Sequence, residues 1–325
     1  MATLLFPCPY GIDHMRTLNE VLAGRFLPLL ERVPYARWKA SRTKRRNMLK
    51  CMYARLRKSN IDGVFFTNLL ADATPEIKEK FPNVRILGYV HGTNLAAAAN
   101  PLAKSTHLNR ERRIYAATDA IFVGSRYAQH LLSEAFPDIR HKVFVVGFPL
   151  AESHAILDAK RGRVVLYNHR FDRNKQPLQL IALKKLLPQF SFVATSPNFD
   201  PFTIGKLKKA GIRVYVNPQP AAYEALLDSA MFQVSFARHE MFGVATQRAL
   251  LHGAFTLAPK RASYKELLSS EMLYGGVEEL VERITQYAND ADARLAIVQE
   301  AQKTSQRRFS QERWIAKVEK CLGKI

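Results

Sequence analysis

Short apolar runs that alternate with longer amphipathic stretches constrain the fold of this 325-residue chain more than any other feature. The runs end at turn residues, as buried strands do, and the stretches between them carry apolar residues at helical spacing. Because strands that alternate with helices build parallel sheets covered by helices, the pattern predicts an α/β fold. In the first half it predicts strands at 3–6, 63–67, 85–90, 120–124 and 142–146, with helices at 17–30, 43–58, 108–118 and 126–135.

The same pattern restarts after a connector near residues 147–163. It predicts strands at 163–167, 190–194, 212–216, 231–235 and 255–257, helices at 176–187, 223–228, 243–252 and 278–289, and a helical stretch over 290–325 that breaks near Ser310. Two Rossmann-like domains follow from this repetition, over residues 1–150 and 151–305. We expect ligands to bind outside the carboxyl ends of the strands, in a cleft between the two domains.

The charge of the chain is unusual, with 49 Lys and Arg against 28 Asp and Glu, and a net charge of +21. From Arg32 to Ile61 there is no acidic residue. Basic residues interleaved with aromatic ones suit contact with phosphates and stacking on bases, although a solvated helix face and an anionic membrane are alternatives. The narrow apolar stripe over 43–58 argues against the membrane. The predicted nucleic-acid-binding residues are Arg37, Trp38, Lys39, Arg42, Lys44, Arg45, Arg46 and Lys50.

Cysteine usage and hydropathy indicate a cytoplasmic protein. The three cysteines, Cys8, Cys51 and Cys321, are widely spaced and match no zinc motif. The first residues lack the basic start and long apolar core of a signal peptide, and no apolar run is long enough to predict a transmembrane helix. Oligomeric state is left open between monomer and homodimer.

One loop in the second half concentrates positive charge where a strand ends. The predicted strand 163–167 leads into Asn168, His169, Arg170 and, five residues after Arg170, Lys175, before the next helix. Two cations at such a turn are suited to hold a diphosphate, which offers concentrated negative charge and many acceptor oxygens. The alternative is a solvated basic loop.

A second segment places an acid at the start of a helix. After the strand at 231–235, Glu240 precedes a helix predicted from Gly243. Helix N-termini attract phosphate, and a carboxylate beside one accepts hydrogen bonds from sugar hydroxyls. The alternative is that Glu240 only caps the helix.

These two segments, NHRFDRNKQP and HEMFGVATQRALLHGAFTLAPKRASYKELL, resemble the donor-binding half of the family-4 retaining glycosyltransferases. Within that group they are similar to the branch of the tRNA-queuosine mannosyltransferases, most clearly over residues 163–275. The resemblance implies the GT-B fold, with two Rossmann-like domains facing across a cleft and a C-terminal helix, 306–325, that packs back on the first domain. It also implies that Arg170 and Lys175 hold the donor diphosphate and that Glu240 contacts the donor sugar. The main chain of Met241, Phe242, Gly243 and Val244 would face the distal phosphate.

The sequence departs from the family at Arg248, which stands where a second glutamate usually binds the donor ribose. A guanidinium cannot accept hydrogen bonds from ribose hydroxyls, so either another residue binds them or Arg248 contacts a phosphate or the base. Arg248 is therefore assigned to the nucleoside side of the donor. Gly11, in the loop after the first strand, is assigned there too, because glycine allows close backbone approach.

The first half supplies the remaining catalytic candidates. His91 follows the strand 85–90 and resembles the family's cleft histidine, while Asp13 is the candidate general base by position. No metal-binding motif stands at a strand end, so we expect metal-independent transfer that requires no cofactor besides the nucleotide-sugar co-substrate.

The predicted function is transfer of a sugar, from a UDP-sugar in preference to a GDP-sugar, to a hydroxyl on nucleic acid. A hydroxymethylpyrimidine in bacteriophage DNA is the first choice, because it offers such a hydroxyl and because the chain is compact and highly charged. The alternatives are a tRNA acceptor of the queuosine type, a surface glycan or glycolipid, and a non-catalytic nucleic-acid-binding protein on a decayed transferase scaffold.

Overall fold

The chain divides into two compact units, unit 1 of Met1–Ala151 with Gln311–Ile325, and unit 2 of Glu152–Ser310. The computed structural model describes residues 4–6, 21, 27–28, 50, 52–57, 61–67, 73–91, 101–150 and 161–323. Each unit contains one parallel six-stranded sheet. The α/β fold with parallel sheets in two domains, predicted from the alternating pattern, is confirmed.

In unit 1 the strands follow the order β2-β1-β3-β4-β5-β6. The inner strands β3, β4 and β5 are nearly continuous apolar runs, as sheets covered on both faces require. The strands are β1 (Leu4–Phe6), β2 (Leu27–Pro28), β3 (Gly63–Phe66), β4 (Arg85–Val90), β5 (Ala120–Val123) and β6 (Val143–Val145). Labelled helices are α1 (Ala73–Lys80), α2 (Pro101–Ala116) and α3 (Arg126–Ala135), followed by a 3₁₀ helix at Pro137–Lys142; residues 52–57 are also helical.

The helix predicted over 17–30 is wrong at its end, because Leu27–Pro28 form strand β2. Val21 is helical, and the remaining residues of that prediction lie outside the described part. Proline disfavours helical backbone in the residue before it and has no N–H for a sheet ladder. Position 28 suits proline because β2 is an edge strand, paired only with β1 among the described strands.

In unit 2 the strands follow the order β12-β11-β10-β7-β8-β9. The strands are β7 (Val164–Tyr167), β8 (Ser191–Ser196), β9 (Arg213–Val216), β10 (Phe232–Val234), β11 (Phe255–Pro259) and β12 (Leu273–Tyr274). The helices are α4 (Gln179–Leu186), α5 (Pro201–Lys209), α6 (Pro220–Ser229), α7 (Val244–Leu251), α8 (Tyr264–Leu267), α9 (Val277–Asn289) and α10 (Ala291–Phe309).

The strand order of unit 2 reverses between β7 and β10. From β7 the chain builds outward through β8 to β9, and it then returns to β10 on the other side of β7. In open parallel sheets such a reversal opens a crevice outside the carboxyl ends of the two strands. The loops that leave β7 and β10 therefore meet at the position where this fold binds ligands.

The helical stretch after residue 290 breaks where the sequence predicts, between α10 and α11 (Gln311–Leu322). Helix α11 belongs to unit 1 and buries Trp314, Val318 and Leu322, which are four residues apart and so share one face. The Trp314 ring packs edge-on against Phe65 of β3, with 6.2 Å between ring centroids. None of the helices in the described part of the chain combines the length and the hydropathy that crossing a bilayer requires.

Candidate functional site

The loop after β7 is fixed in place by its own main chain and by Tyr167, the buried last residue of the strand. The Tyr167 hydroxyl lies 3.0 Å from the Lys175 carbonyl and 3.2 Å from the Arg170 carbonyl, so its single hydrogen is shared between these two acceptors. Asp172 Oδ1 accepts a hydrogen bond from the Lys175 amide. These hydrogen bonds hold the turn from which the Lys175 side chain extends.

Lys175 forms a buried ion pair with Glu240, which lies in the loop after β10. Lys175 Nζ is 2.5 Å from Glu240 Oε2, and the two side chains are only 9% and 15% exposed. Burial raises the pKa of Glu240, but the charge and hydrogen bond of Lys175 outweigh burial and lower it from 4.5 to about 2. Glu240 is therefore an ionised, acceptor-only carboxylate at neutral pH.

Two aromatic side chains complete the surroundings of this pair. Tyr264 bonds through its hydroxyl to Ser235 Oγ at 2.7 Å and donates to Glu240 Oε2 at 3.4 Å. Burial, followed by the positive charge of Lys175, lowers the pKa of His169 to about 3, so this imidazole is neutral. Gln233 Nε2 lies 3.2 Å from His169 Nε2, which accepts the hydrogen bond. Neither Tyr264 nor His169 was predicted from the sequence as a functional residue.

Asn174 ties the two loops together. Its side-chain Oδ1 accepts from the His239 amide at 2.8 Å, and its Nδ2 donates to the His239 carbonyl at 2.9 Å. The Asn174 carbonyl also accepts from the Arg238 amide. One amide side chain thus sets the register between the β7 and β10 loops, and with it the distance from Lys175 to Glu240.

Helix α7 begins at this junction with a glycine in left-handed backbone. Gly243 has φ +77°, and a Cβ at this position would lie 3.0 Å from Tyr264 Cε1. Glu240 accepts hydrogen bonds from the Met241 and Gly243 amides, which precede the first helical residue, and no side chain caps the start of α7. Phe242 is buried edge-on against Phe309 of α10, with ring centroids 4.9 Å apart, which anchors the loop.

Arg170 and Lys175 occupy different environments on the same turn. The Arg170 side chain is 61% exposed, and its Nε lies 3.2 Å from Asp172 Oδ2. Lys175 is instead buried on Glu240. Both cations of the turn are therefore paired with an acid, Arg170 at the surface and Lys175 in a buried environment.

Arg248 lies one turn into α7 and is held by helix α6. Its guanidinium carbon is 4.9 Å from the centroid of the Tyr223 ring, and Nη2 is 3.2 Å from Glu224 Oε1. The Tyr223 hydroxyl accepts from Asn168 Nδ2, and Asn168 Nδ2 also donates to the Ala245 carbonyl. Arg248 is thereby connected to the exit of β7, on the same end of the sheet as Lys175.

In unit 1, His91 lies at the exit of β4. Its Nε2 donates to the Thr67 carbonyl at 2.7 Å, so this nitrogen serves the protein itself, and its ring packs against Tyr89 and Phe148. Lys50 is helical, and its side chain is exposed. The other predicted residues of unit 1 lie outside the described ranges: Gly11, Asp13, Arg37, Trp38, Lys39, Arg42, Lys44, Arg45 and Arg46. Among described residues, no group of three or more His, Cys, Asp or Glu side chains is placed to hold a metal ion.

Known structures share this architecture along the whole chain. Sucrose-phosphate synthase from Thermosynechococcus elongatus superposes with a TM-score of 0.77 at 17% identity, covering 100% of this chain and 99% of that one. HepE from Anabaena, solved in complex with UDP and glucose, gives 0.76 at 15% identity with full coverage of both chains. The lipopolysaccharide outer core galactosyltransferase WaaB gives 0.66 at 12% identity over 100% and 99%. No known family profile matches the sequence. The chain therefore has the GT-B fold of these glycosyltransferases.

Proposed function

We propose that the protein is a retaining glycosyltransferase that binds a nucleotide sugar, a UDP-sugar in the first instance, at the junction of the β7 and β10 loops. The observation that carries the proposal is the buried pair of Lys175 and Glu240, 2.5 Å apart at the reversal of strand order. Burying two charges costs desolvation free energy even when they form an ion pair, and carboxylates with perturbed pKa values in such crevices are typical of functional sites. UDP in the structure of HepE, which has the same fold, supports the choice of nucleotide.

Each group has a chemical task in this proposal. Lys175 has three donors, so it can hold a diphosphate oxygen while it remains paired with Glu240. The first amides of α7 and the exposed Arg170 add positive potential for the same anion. Glu240, being ionised, accepts hydrogen bonds from the hydroxyls of the donor sugar.

The reaction then needs no protein nucleophile. The acceptor oxygen forms a bond to the anomeric carbon while the bond from that carbon to the diphosphate breaks on the same face. The acceptor proton passes to an oxygen of the departing diphosphate, and Lys175 with Arg170 stabilises the charge that develops there. We propose that this step proceeds without a metal ion, so that EDTA leaves the rate unchanged.

Calorimetric titration with UDP, GDP and UDP-glucose tests the donor site. The double variant Lys175→Met with Glu240→Gln removes both charges at once, so that neither is left buried alone. We expect it to fold and to lose at least about tenfold in UDP affinity, since a charge-assisted hydrogen bond contributes roughly 1.5–3 kcal/mol. The control is Glu279→Gln, which removes a carboxylate of the same unit from an exposed ion pair. Unchanged UDP affinity in the double variant would overturn the proposed site.

For the acceptor we propose a hydroxyl on nucleic acid, with hydroxymethylpyrimidine DNA ahead of a tRNA of the queuosine type. The net charge of +21 and the acid-free segment Arg32–Ile61 support this choice. Incubation with mixed nucleotide sugars and either substrate, followed by nucleoside mass spectrometry, should reveal an added sugar. Arg45→Glu with Arg46→Glu should weaken DNA binding, and unchanged DNA affinity would contradict the assignment of that segment.

A glycan or glycolipid acceptor is the second candidate, because WaaB, a lipopolysaccharide outer core galactosyltransferase, has the same fold. In this case the sugar appears on an added lipid-linked oligosaccharide and none appears on DNA or tRNA. A third outcome, no binding of any nucleotide sugar, points to a non-catalytic nucleic-acid-binding protein, and the arginine at position 248 is the residue that favours it.

A further inference from the structure

Helix α5 and the loop before it carry the two most exposed of the large apolar side chains in the described part of the chain. Phe199 is 72% exposed and Phe202 is 63% exposed. Exposed phenylalanines cost solvation free energy, and large ones that stand together mark interaction sites. Both lie within four residues of each other at the carboxyl-end side of β8.

Cations continue the same face of the helix. Phe202, Gly205, Lys206 and Lys209 are spaced at three and four residues and are all exposed, so they form one stripe on α5. Lys206 Nζ lies 4.2 Å from the centroid of the Phe202 ring, and a Cβ on Gly205 would meet nothing within 4 Å. We call Phe199 together with this stripe the α5 surface.

The stretch of sequence that contains the α5 surface is rich in basic residues. Residues 173–223 contain a single acid, Asp200. The basic residues in that range are Arg173, Lys175, Lys184, Lys185, Lys206, Lys208, Lys209 and Arg213. The complementary partner is therefore a polyanion that also offers flat apolar faces to two rings.

We infer that the α5 surface binds single-stranded nucleic acid, with bases stacked on Phe199 and Phe202 and phosphates held by Lys206 and Lys209. Aromatic rings beside a cationic track are the combination that binds single strands without sequence preference. A membrane is a poorer fit, because an interfacial helix needs a broad apolar face, and the apolar residues Ile204 and Leu207 of α5 are buried within the protein.

The α5 surface also adjoins the proposed donor site. The amide of Phe171, in the β7 loop, donates to Ser196 Oγ and to Asn198 Oδ1, the residue directly before Phe199. A single-stranded nucleic acid bound on the α5 surface would therefore lie close to the loop that carries Arg170 and Lys175. This inference adds a binding surface to the proposed function. It rests on that function only for the statement that the bound nucleic acid is also the sugar acceptor.

Anisotropy of a fluorescent oligothymidylate measures this binding in the full chain, separately from sugar transfer. We expect Phe199→Ala with Phe202→Ala to weaken binding at least about tenfold, because each stacked base contributes substantially. Val277→Ala, which removes another exposed apolar side chain, should leave the affinity unchanged. Unchanged affinity in the double phenylalanine variant would overturn the inference.

Salt dependence tests the cations. Lys206→Gln with Lys209→Gln should reduce the slope of log affinity against log salt by about 1.4, since each contact with a single strand contributes about 0.7. Lys303→Gln with Lys320→Gln removes two exposed lysines from α10 and α11 and serves as the charge-matched control. Equal slopes for the two double variants would refute the assignment of Lys206 and Lys209.

A fluorescent reporter distinguishes bases from lipid. Phe202→Trp should bind oligothymidylate with its emission quenched by stacking, and should show no blue shift with vesicles of phosphatidylserine and phosphatidylcholine. A blue shift with vesicles and no quenching by oligothymidylate would make the α5 surface a membrane contact and overturn the inference. If stacking is observed but no sugar reaches DNA or tRNA, the surface stands and the proposed acceptor fails.

Discussion

Replacing Glu240 by glutamine tests whether burial makes the Lys175 pair strong. The depressed pKa of Glu240, about 2 against 4.5, corresponds to about 3 kcal/mol at 1.36 kcal/mol per pKa unit. Glutamine imitates the protonated carboxyl, so Glu240→Gln should destabilise unit 2 by about 3 kcal/mol. That loss lowers the melting temperature of a unit of this size by roughly 6–12 °C. Both tryptophans, Trp38 and Trp314, belong to unit 1, so tryptophan fluorescence would not report on the unfolding of unit 2. Scanning calorimetry is therefore the suitable assay.

Glu279→Gln provides the matched control. Glu279 Oε1 also lies 2.5 Å from a cation, Nη2 of Arg283, but its side chain is 41% exposed against 15% for Glu240. Solvent screening limits such surface pairs to about 1 kcal/mol or less. Equal losses in the two variants would refute the reasoning, because distance and not burial would then set the strength of the pair.

The pH dependence supplies a second check on the same pair. A carboxyl with a lowered folded-state pKa stabilises the protein above its unfolded pKa and loses that contribution as pH falls through the folded pKa. The difference in stability between wild type and Glu240→Gln should therefore be constant above pH 4.5 and shrink between pH 4.5 and about pH 2. A difference that stays constant down to pH 2 would show that Lys175 does not hold the carboxylate ionised.

Three further substitutions have defined outcomes. Gly243→Ala forces alanine to φ +77° with its Cβ 3.0 Å from Tyr264, so we expect about 1–3 kcal/mol of destabilisation of unit 2 in calorimetry, and a neutral effect would contradict the strain. Asn174→Ala removes both side-chain bonds to His239 and should weaken UDP binding in titration calorimetry; wild-type affinity would show that Asn174 does not set the loop register. Trp314→Ala should lower the free energy of unfolding of unit 1 by about 3–5 kcal/mol in calorimetry, and a neutral effect would contradict the packing of the buried indole on Phe65.

Local features of the site were predictable from sequence, and its pairings were not. A strand that ends in polar residues before a helix is a short-range pattern, and it placed Lys175 and Glu240 in the loops that follow β7 and β10. Their contact joins residues 65 positions apart, which no local pattern encodes. Tyr264 was missed for the same reason, since it reaches Glu240 from a four-residue helix that lies 24 positions further along the chain.

The fold shows the same division between local and long-range information. Apolar runs and turn residues predicted β3 to β11 to within two residues at nearly every end. The helix prediction over 17–30 failed at Leu27–Pro28, because pairing with β1 and the backbone restriction before proline favour a strand there. Periodicity alone carries no information about which segments find a partner at the edge of a sheet.

The division of unit 1 into two stretches of chain affects the order in which the protein matures on the ribosome. The residues of unit 2 are contiguous, so this unit can form its core as soon as it has emerged from the ribosome. Unit 1 completes its core later, because Trp314, whose indole packs beside Phe65, is translated only after the whole of unit 2. The half that is made first is thus completed second, and its unfilled core remains open to chaperones or to misfolding during that interval.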